Sequence, residues 1–307
     1  MTLRRPKLRV LTILSACLVL GFGTVSGTSA RIKVLIVDGQ NNHANWPKTS
    51  YLMHEFLEVS GRFEVDIYRT RYTWNGGALV EQYPADNSAE FTAVTQPETD
   101  HEFFPEFSEY DLVISNFGWK SAAWPNATQQ AFVRFIKNGG GFVVVHAANN
   151  AFPDWREYNE IIGLGGWGGR NESDGPYLYY DNNHNLVTDT SPGNAGGHGF
   201  KHAFSIRVRE PKHPIMQSFA PTWVHAKDEL YNRLRGPAKN ITILASAFDS
   251  PEHNGFGRHE PVAFTINYGQ GRVFHTTLGH GDNVYQDDNF QKLMINGAIW
   301  AAGGNNE

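Results

Sequence analysis

The run GFVVVHAA, residues 141–148, constrains the fold more than any other stretch of this chain. Its apolar residues are continuous where a half-exposed strand would alternate. Such a run fits a central parallel strand covered on both faces, which in turn requires helices above and below the sheet. Three glycines, 139–141, end the preceding element, and a histidine followed by a small, polar turn ends the strand. α/β enzymes often present a reactive side chain in this way, and here the side chain delivered is His146.

The rest of the chain keeps the same rhythm. Strands are expected at 31–39, 63–70, 110–118 and 141–148, with helices at 48–59, 127–137 and 156–162 between or after them. Residues 72–107 are polar and acidic without periodicity and read as a long excursion carrying a short element. Residues 163–200, rich in Gly, Asn, Asp and Tyr, read as a large loop over the site. Strand-like segments follow at 203–209, 241–248, 261–268 and 271–279, the last two joined as a hairpin on Gly269-Gln270-Gly271. A final helix over 288–302 places Phe290, Leu293, Met294, Gly297 and Trp300 on one face, with Asp287 or Asp288 as its N-cap. There is no internal repeat. The pattern argues one doubly wound α/β domain, residues 31–303, with a mostly parallel sheet and an added antiparallel hairpin.

The first thirty residues read differently. A basic start (Arg4, Arg5, Lys7, Arg9), an apolar run and a small-residue tail form a secretory signal peptide, with cleavage expected after Ala30. The apolar run is short for a bilayer span. The protein is therefore expected to be exported, periplasmic or extracellular, with no transmembrane segment after cleavage. Leu14–Cys17 resembles a bacterial lipobox, which would make lipid anchoring through Cys17 a second route. Removing the segment takes the formal charge from −5 to −9. So acidic a chain is a poor partner for nucleic acid. Cys17 is the only cysteine, so the mature chain has no disulfide, thiolate ligand or cysteine nucleophile. Homo-oligomerisation is compatible with the sequence.

In an open parallel sheet, ligands bind beyond the carboxyl ends of the strands. The residues following each strand are thus the candidates. They are Asn42, His43 and Trp46 after the first, Asn116, Trp119 and Trp124 after the third, and His146, Asn149 and Asn150 after the fourth. His280 and Asp282 follow the last strand. Four strand ends offering His, Asn or Trp point to a shared polar pocket, although Asn also serves turns. An imidazole at a strand tip can act as base, metal ligand or orienting donor, or can simply bond to a backbone carbonyl. His198 and His202 are four apart, but their glycine-rich surroundings indicate a loop. His213 precedes Pro214 and reads as a turn; His275 reads as packing. Glu229, in the DELY segment 228–231, is either a base or ligand or a solvated acid at a helix start. GLGGWGGR lacks both the preceding strand and the Lys-Ser/Thr of a phosphate loop.

Four segments, VHAANNAFPDWREYNEIIGLGGWGGR, GHGFKHAFSIRVREPKHPIMQSF, DELYNRL and EPVAFTINYGQGRVFHTTLGHG, occur in that order. Together they resemble the ThuA-like (trehalose utilisation) family from Lys33 to about Trp300. The resemblance implies a class I glutamine amidotransferase-like fold, a three-layer α/β/α sandwich, and a role in sugar utilisation alongside enzymes that make 3-keto sugars. Glutamine amidotransferases of that fold carry a cysteine where this chain has His146, so a thioester route to glutamine hydrolysis is excluded here. The expectation is an enzyme acting on a carbohydrate or keto-sugar. His146, His43 and Glu229 would be catalytic. Asn42, Trp46, Asn116, Trp119, Asn149 and His280 would bind substrate, and His146, His202 and His280 would hold a divalent metal such as zinc. Two other readings compete: a non-catalytic sugar binder stacking on Trp46, Trp119, Trp124 and Trp167, and an interaction module with a vestigial pocket.

Overall fold

The computed structural model describes residues 30–87 and 90–304. The expected signal peptide lies, but for Ala30, outside the described residues. The elements run in the order β1 (Ile32–Gln40), α1 (Trp46–Val59), β2 (Phe63–Trp74), α2 (Leu79–Gln82), β3 (Thr92–Val94), β4 (Leu112–Ser115), α3 (Asn126–Lys137), β5 (Gly141–Val145) and α4 (Arg156–Ile162). There follow β6 (Tyr177–Tyr180), β7 (Leu186–Asp189), β8 (Gly197–His198), β9 (His202–Val208), β10 (Thr222–Asp228), β11 (Tyr231–Asn232), β12 (Ile241–Phe248), β13 (His259–Tyr268), β14 (Gly271–Thr276) and α5 (Asp288–Ala301).

One large sheet runs β10-β9-β12-β13-β14-β5-β4-β1-β2-β3. From β14 to β3 every neighbour is parallel; from β10 to β14 every neighbour is antiparallel. β5 is buried at all five positions. Val143 and Val145 enter the core beneath α1 and α5, while Phe142 and Val144 enter the core beneath α3 and α4. Both faces of the strand are covered, which makes the molecule a three-layer α/β/α sandwich. α5 lies close on the sheet because position 297 is glycine; a Cβ there would be driven into the ring of Phe274. Asp287 caps that helix by accepting the amide of Phe290 at 2.9 Å.

Three local expectations need correction. The antiparallel part is larger than one hairpin: β9, β10 and β12 extend it, and β6 joins at the side of β13. The segment 163–200 is not all loop, since β6 and β7 pair as an antiparallel hairpin within it. The DELY segment begins at the end of strand β10, not at a helix start. Its register against β9 shifts between His225 and Asp228, and such a bulge re-aims the side chains that follow.

Candidate functional site

β1 and β5 each deliver a histidine to the top of the sheet. After β5 the chain turns abruptly: His146 has φ +45° and opens a 3-10 turn, His146–Asn150. A β-carbon residue in that region costs roughly 1–3 kcal/mol and persists only where its surroundings enforce it. The surroundings do so here. The His146 ring is buried, its Nδ1 is 2.7 Å from the carbonyl of Thr277 just beyond β14, and Tyr231 Oη is 2.9 Å from its Nε2. The carbonyl can only accept, so Nδ1 carries the proton and Nε2 accepts from the tyrosine. After β1, the Asn41 side-chain oxygen accepts both the His43 amide, at 2.9 Å, and His43 Nδ1, at 3.1 Å. This leaves the His43 Nε2 lone pair available as an acceptor.

The antiparallel half supplies the rest. Asp228, fully buried, accepts from His225 Nε2 (3.0 Å) and from the amides of Glu229 (2.9 Å), Gly279 (2.9 Å) and His280 (3.0 Å). One carboxylate thereby ties the end of β10 to the loop after β14. Glu229, the next residue, is turned inward and buried. Its Oε1 lies 3.1 Å from His280 Nε2 and its Oε2 3.9 Å from His146 Nε2. His198, on β8, and Lys201 stand 3.8 Å and 3.7 Å from the same carboxylate.

The three imidazoles meet. Ring centroids are 5.0 Å apart for His43–His146, 4.7 Å for His43–His280 and 5.5 Å for His146–His280. Burial pushes His43 down to about 2, with the neighbouring histidines and Lys201 adding to the effect. Burial likewise takes His280 down to about 4 and lowers His146. All three are neutral near pH 7, so their contacts with Glu229 are hydrogen-bond or ligand contacts between a neutral ring and a carboxylate. Burial opposes ionisation of Asp228, but the hydrogen bonds from His225 and the Gly279 amide outweigh it and hold the carboxyl below its ordinary value. Burial, then the charge of Glu229, keeps Tyr231 protonated.

His43, His146 and Glu229 each offer a donor atom, all within 4.8 Å of one another. Two neutral imidazoles with their Nδ1 protons pinned by oxygen acceptors, plus one carboxylate, form a donor set suited to zinc or a similar ion. At bond lengths of about 2.0–2.2 Å the donors would draw in by about an ångström, and His146 Nε2 would exchange its bond from Tyr231 for the ion.

Two clefts open over the group. One, of about 340 Å³, is lined by Asn42, Trp119, Asn150, Trp167, His198 and Tyr231, with His43 and Glu229 at its base. Asn42 braces it, since its side-chain oxygen accepts the Trp119 amide at 2.9 Å. The other, of about 650 Å³, lies on the far side of His43 and His280.

Several expected site residues serve the frame. Trp46 is fully buried with its indole N–H donated to the Trp74 carbonyl at 2.9 Å, so it offers no face to a ligand. Asn116 donates to the Trp46 carbonyl and to the hydroxyls of Thr49 and Ser50, holding the first turn of α1. Asn149 is buried and donates to His275 Nε2 at 3.0 Å, while His275 Nδ1 bonds the Ile162 carbonyl. Trp124 is buried among Phe103, Phe107, Phe117 and Phe132. His202 stands apart from the three-histidine group: it bonds the Phe200 carbonyl and stacks on His253 at 3.7 Å. The donor set suggested by the sequence, His146, His202 and His280, is therefore replaced by His43, His146 and Glu229. His198, Lys201, Asp228 and Tyr231 were not among the expected site residues. The DELY segment already carried two of them; for His198 and Lys201 the only signal was the glycine-flanked GHGFK.

A family model described as trehalose utilisation, ThuA, matches residues 33–301. Among solved structures, a ThuA-like protein from Parabacteroides merdae is similar at 40% identity, with 91% of this chain and 92% of that chain covered and a TM-score of 0.78. A ThuA-like protein from Bacteroides uniformis shares the fold at 19% identity, with 93% and 99% covered and a TM-score of 0.57. No curated protein matches.

Proposed function

The chain belongs to the ThuA family of trehalose utilisation, and from that premise we propose that it is an exported enzyme acting on a sugar or keto-sugar. The observation that carries the reading is the convergence of His43, His146 and Glu229 within 4.8 Å at the strand ends, beside a cleft walled by Trp119 and Trp167. The cleft volume falls in the lower range of small-ligand pockets, and exposed aromatic faces suit the apolar faces of a sugar ring. These three residues would hold a divalent ion such as zinc, which when bound would polarise a carbonyl or lower the pKa of a water.

The chain's own groups have separable tasks. His146, its ring fixed by the Thr277 carbonyl, presents Nε2 in a set orientation as a ligand atom for that ion. Tyr231, kept protonated by burial, is the group that would donate a hydrogen bond or a proton to a substrate oxygen beside the ion. The Lys201 ammonium, 3.0 Å from His280 Nδ1, stabilises negative charge developing on a substrate oxygen. Asn42 and Trp119 orient the sugar.

The test is turnover of keto-sugars and their unmodified parents by the mature protein, before and after chelation. H146A, which removes a ligand of the ion, should lower turnover by about a hundredfold or more. Full turnover by both H146A and the chelated protein would refute the proposal. The exposed Trp119 and the half-buried Trp167 also suit a binder without catalysis, and tight binding of an unmodified sugar with no product would favour that second reading.

A further inference from the structure

The cleft on the far side of His43 differs in chemistry from the aromatic one. Its lining includes Asn45, Lys201, Lys227, His280, Asp282 and Asn283. The single carboxylate in that lining is already committed: Asp282 accepts Lys48 Nζ at 2.6 Å and Asn45 Nδ2 at 2.8 Å. Lys201 is partly matched by Glu229 at 3.7 Å. Lys227 is exposed, and its ammonium makes no ion pair among the described residues. A chain of net charge −5 thus places an uncompensated cation beside its candidate catalytic group.

We infer that this second cleft is an anion subsite, taking a carboxylate or phosphate carried by the sugar whose ring lies between Trp119 and Trp167. The inference rests on the carbohydrate reading above. A lysine ammonium is a compact point charge that suits either anion, and a local positive potential in an acidic surface draws such ligands toward it. Asn42 and His43 border both clefts, so a ligand filling both would lie across His43.

Titration calorimetry of the full chain at low salt, with glucose, glucuronate, glucose 6-phosphate and inorganic phosphate, tests this. At least one charged sugar should bind about fivefold or more tightly than glucose, with the advantage shrinking as salt rises. A gain for glucuronate alone identifies a carboxylate site; a gain for glucose 6-phosphate alone identifies a phosphate site. K227Q should remove the gain while leaving glucose unchanged, and D282N, which frees Lys48, should increase it. Equal affinity for all three sugars, or equal weakening of all three by K227Q, overturns the subsite alone. If no sugar binds but wild type takes up inorganic phosphate and K227Q does not, the subsite stands and the carbohydrate reading falls.

Discussion

The parallel and antiparallel halves of the sheet build one site by different means. β1 and β5 end where apolar packing stops them, and His43 and His146 follow directly from where those strands end. β10 and the loop after β14 bring Glu229 and His280 inward through a buried carboxylate, Asp228, that gathers four hydrogen bonds. The first kind of placement depends on volume and the second on charge and hydrogen bonding. Mutations, acid and ligands should therefore act unequally on the two halves.

The largest expected effect is on the parallel side. W46A removes a fully buried indole beneath the His43 loop and should cost about 3–5 kcal/mol of stability, read from urea denaturation. A loss below 1 kcal/mol would mean that packing does not hold that loop. On the antiparallel side, D228N keeps the shape but not the charge. It should cost about 1.5–3 kcal/mol and loosen Glu229 and His280 together, visible as faster amide exchange at Gly279 and His280. Unchanged exchange there would break the contrast.

Acid sharpens the same comparison. His275, at the junction of the halves, is fully buried, and burial lowers it from 6.5 to about 3. Below pH 6.5 the unfolded chain takes up a proton that the folded chain refuses, so stability falls as pH falls, and the loss levels off only near pH 3. The slope approaches about 1.4 kcal/mol per pH unit for each such imidazole. Denaturation midpoints between pH 7.5 and 4.5 should show it, and H275N should reduce the slope by one proton. The smallest stability effect belongs to W119A, within about 0.5 kcal/mol of wild type. The same change should weaken sugar binding by up to about tenfold. A large stability loss would place Trp119 in the frame with Trp46.

The two halves were also unequally legible. The β5 run could be read because each of its residues is buried whichever face it points to, and a histidine at its end must emerge at the sheet's top. The class of fold followed from that strand and its neighbours. Trp46 misled because nearness to a strand end says nothing of direction; it belongs to the first turn of α1 and points inward. Asn116 and Asn149 misled because an amide that ties a backbone turn looks, in sequence, like one that binds a hydroxyl. Glu229 could be listed but not placed, since its orientation depends on a bulge between His225 and Asp228 against a distant strand. His198 and His202 differ for a related reason. Gly199 lets the chain pass tightly against the His253 carbonyl, and the two rings separate, one toward Glu229 and one toward His253.

The central claim is that His43, His146 and Glu229 form one metal centre across the two halves. Zinc titration of the purified full chain by equilibrium dialysis tests it most directly. The account predicts one zinc per chain, with affinity reduced about a hundredfold or more by H43A, H146A and E229Q and unchanged by H202A. No zinc bound by the wild type, or binding abolished by H202A and untouched by E229Q, would contradict it.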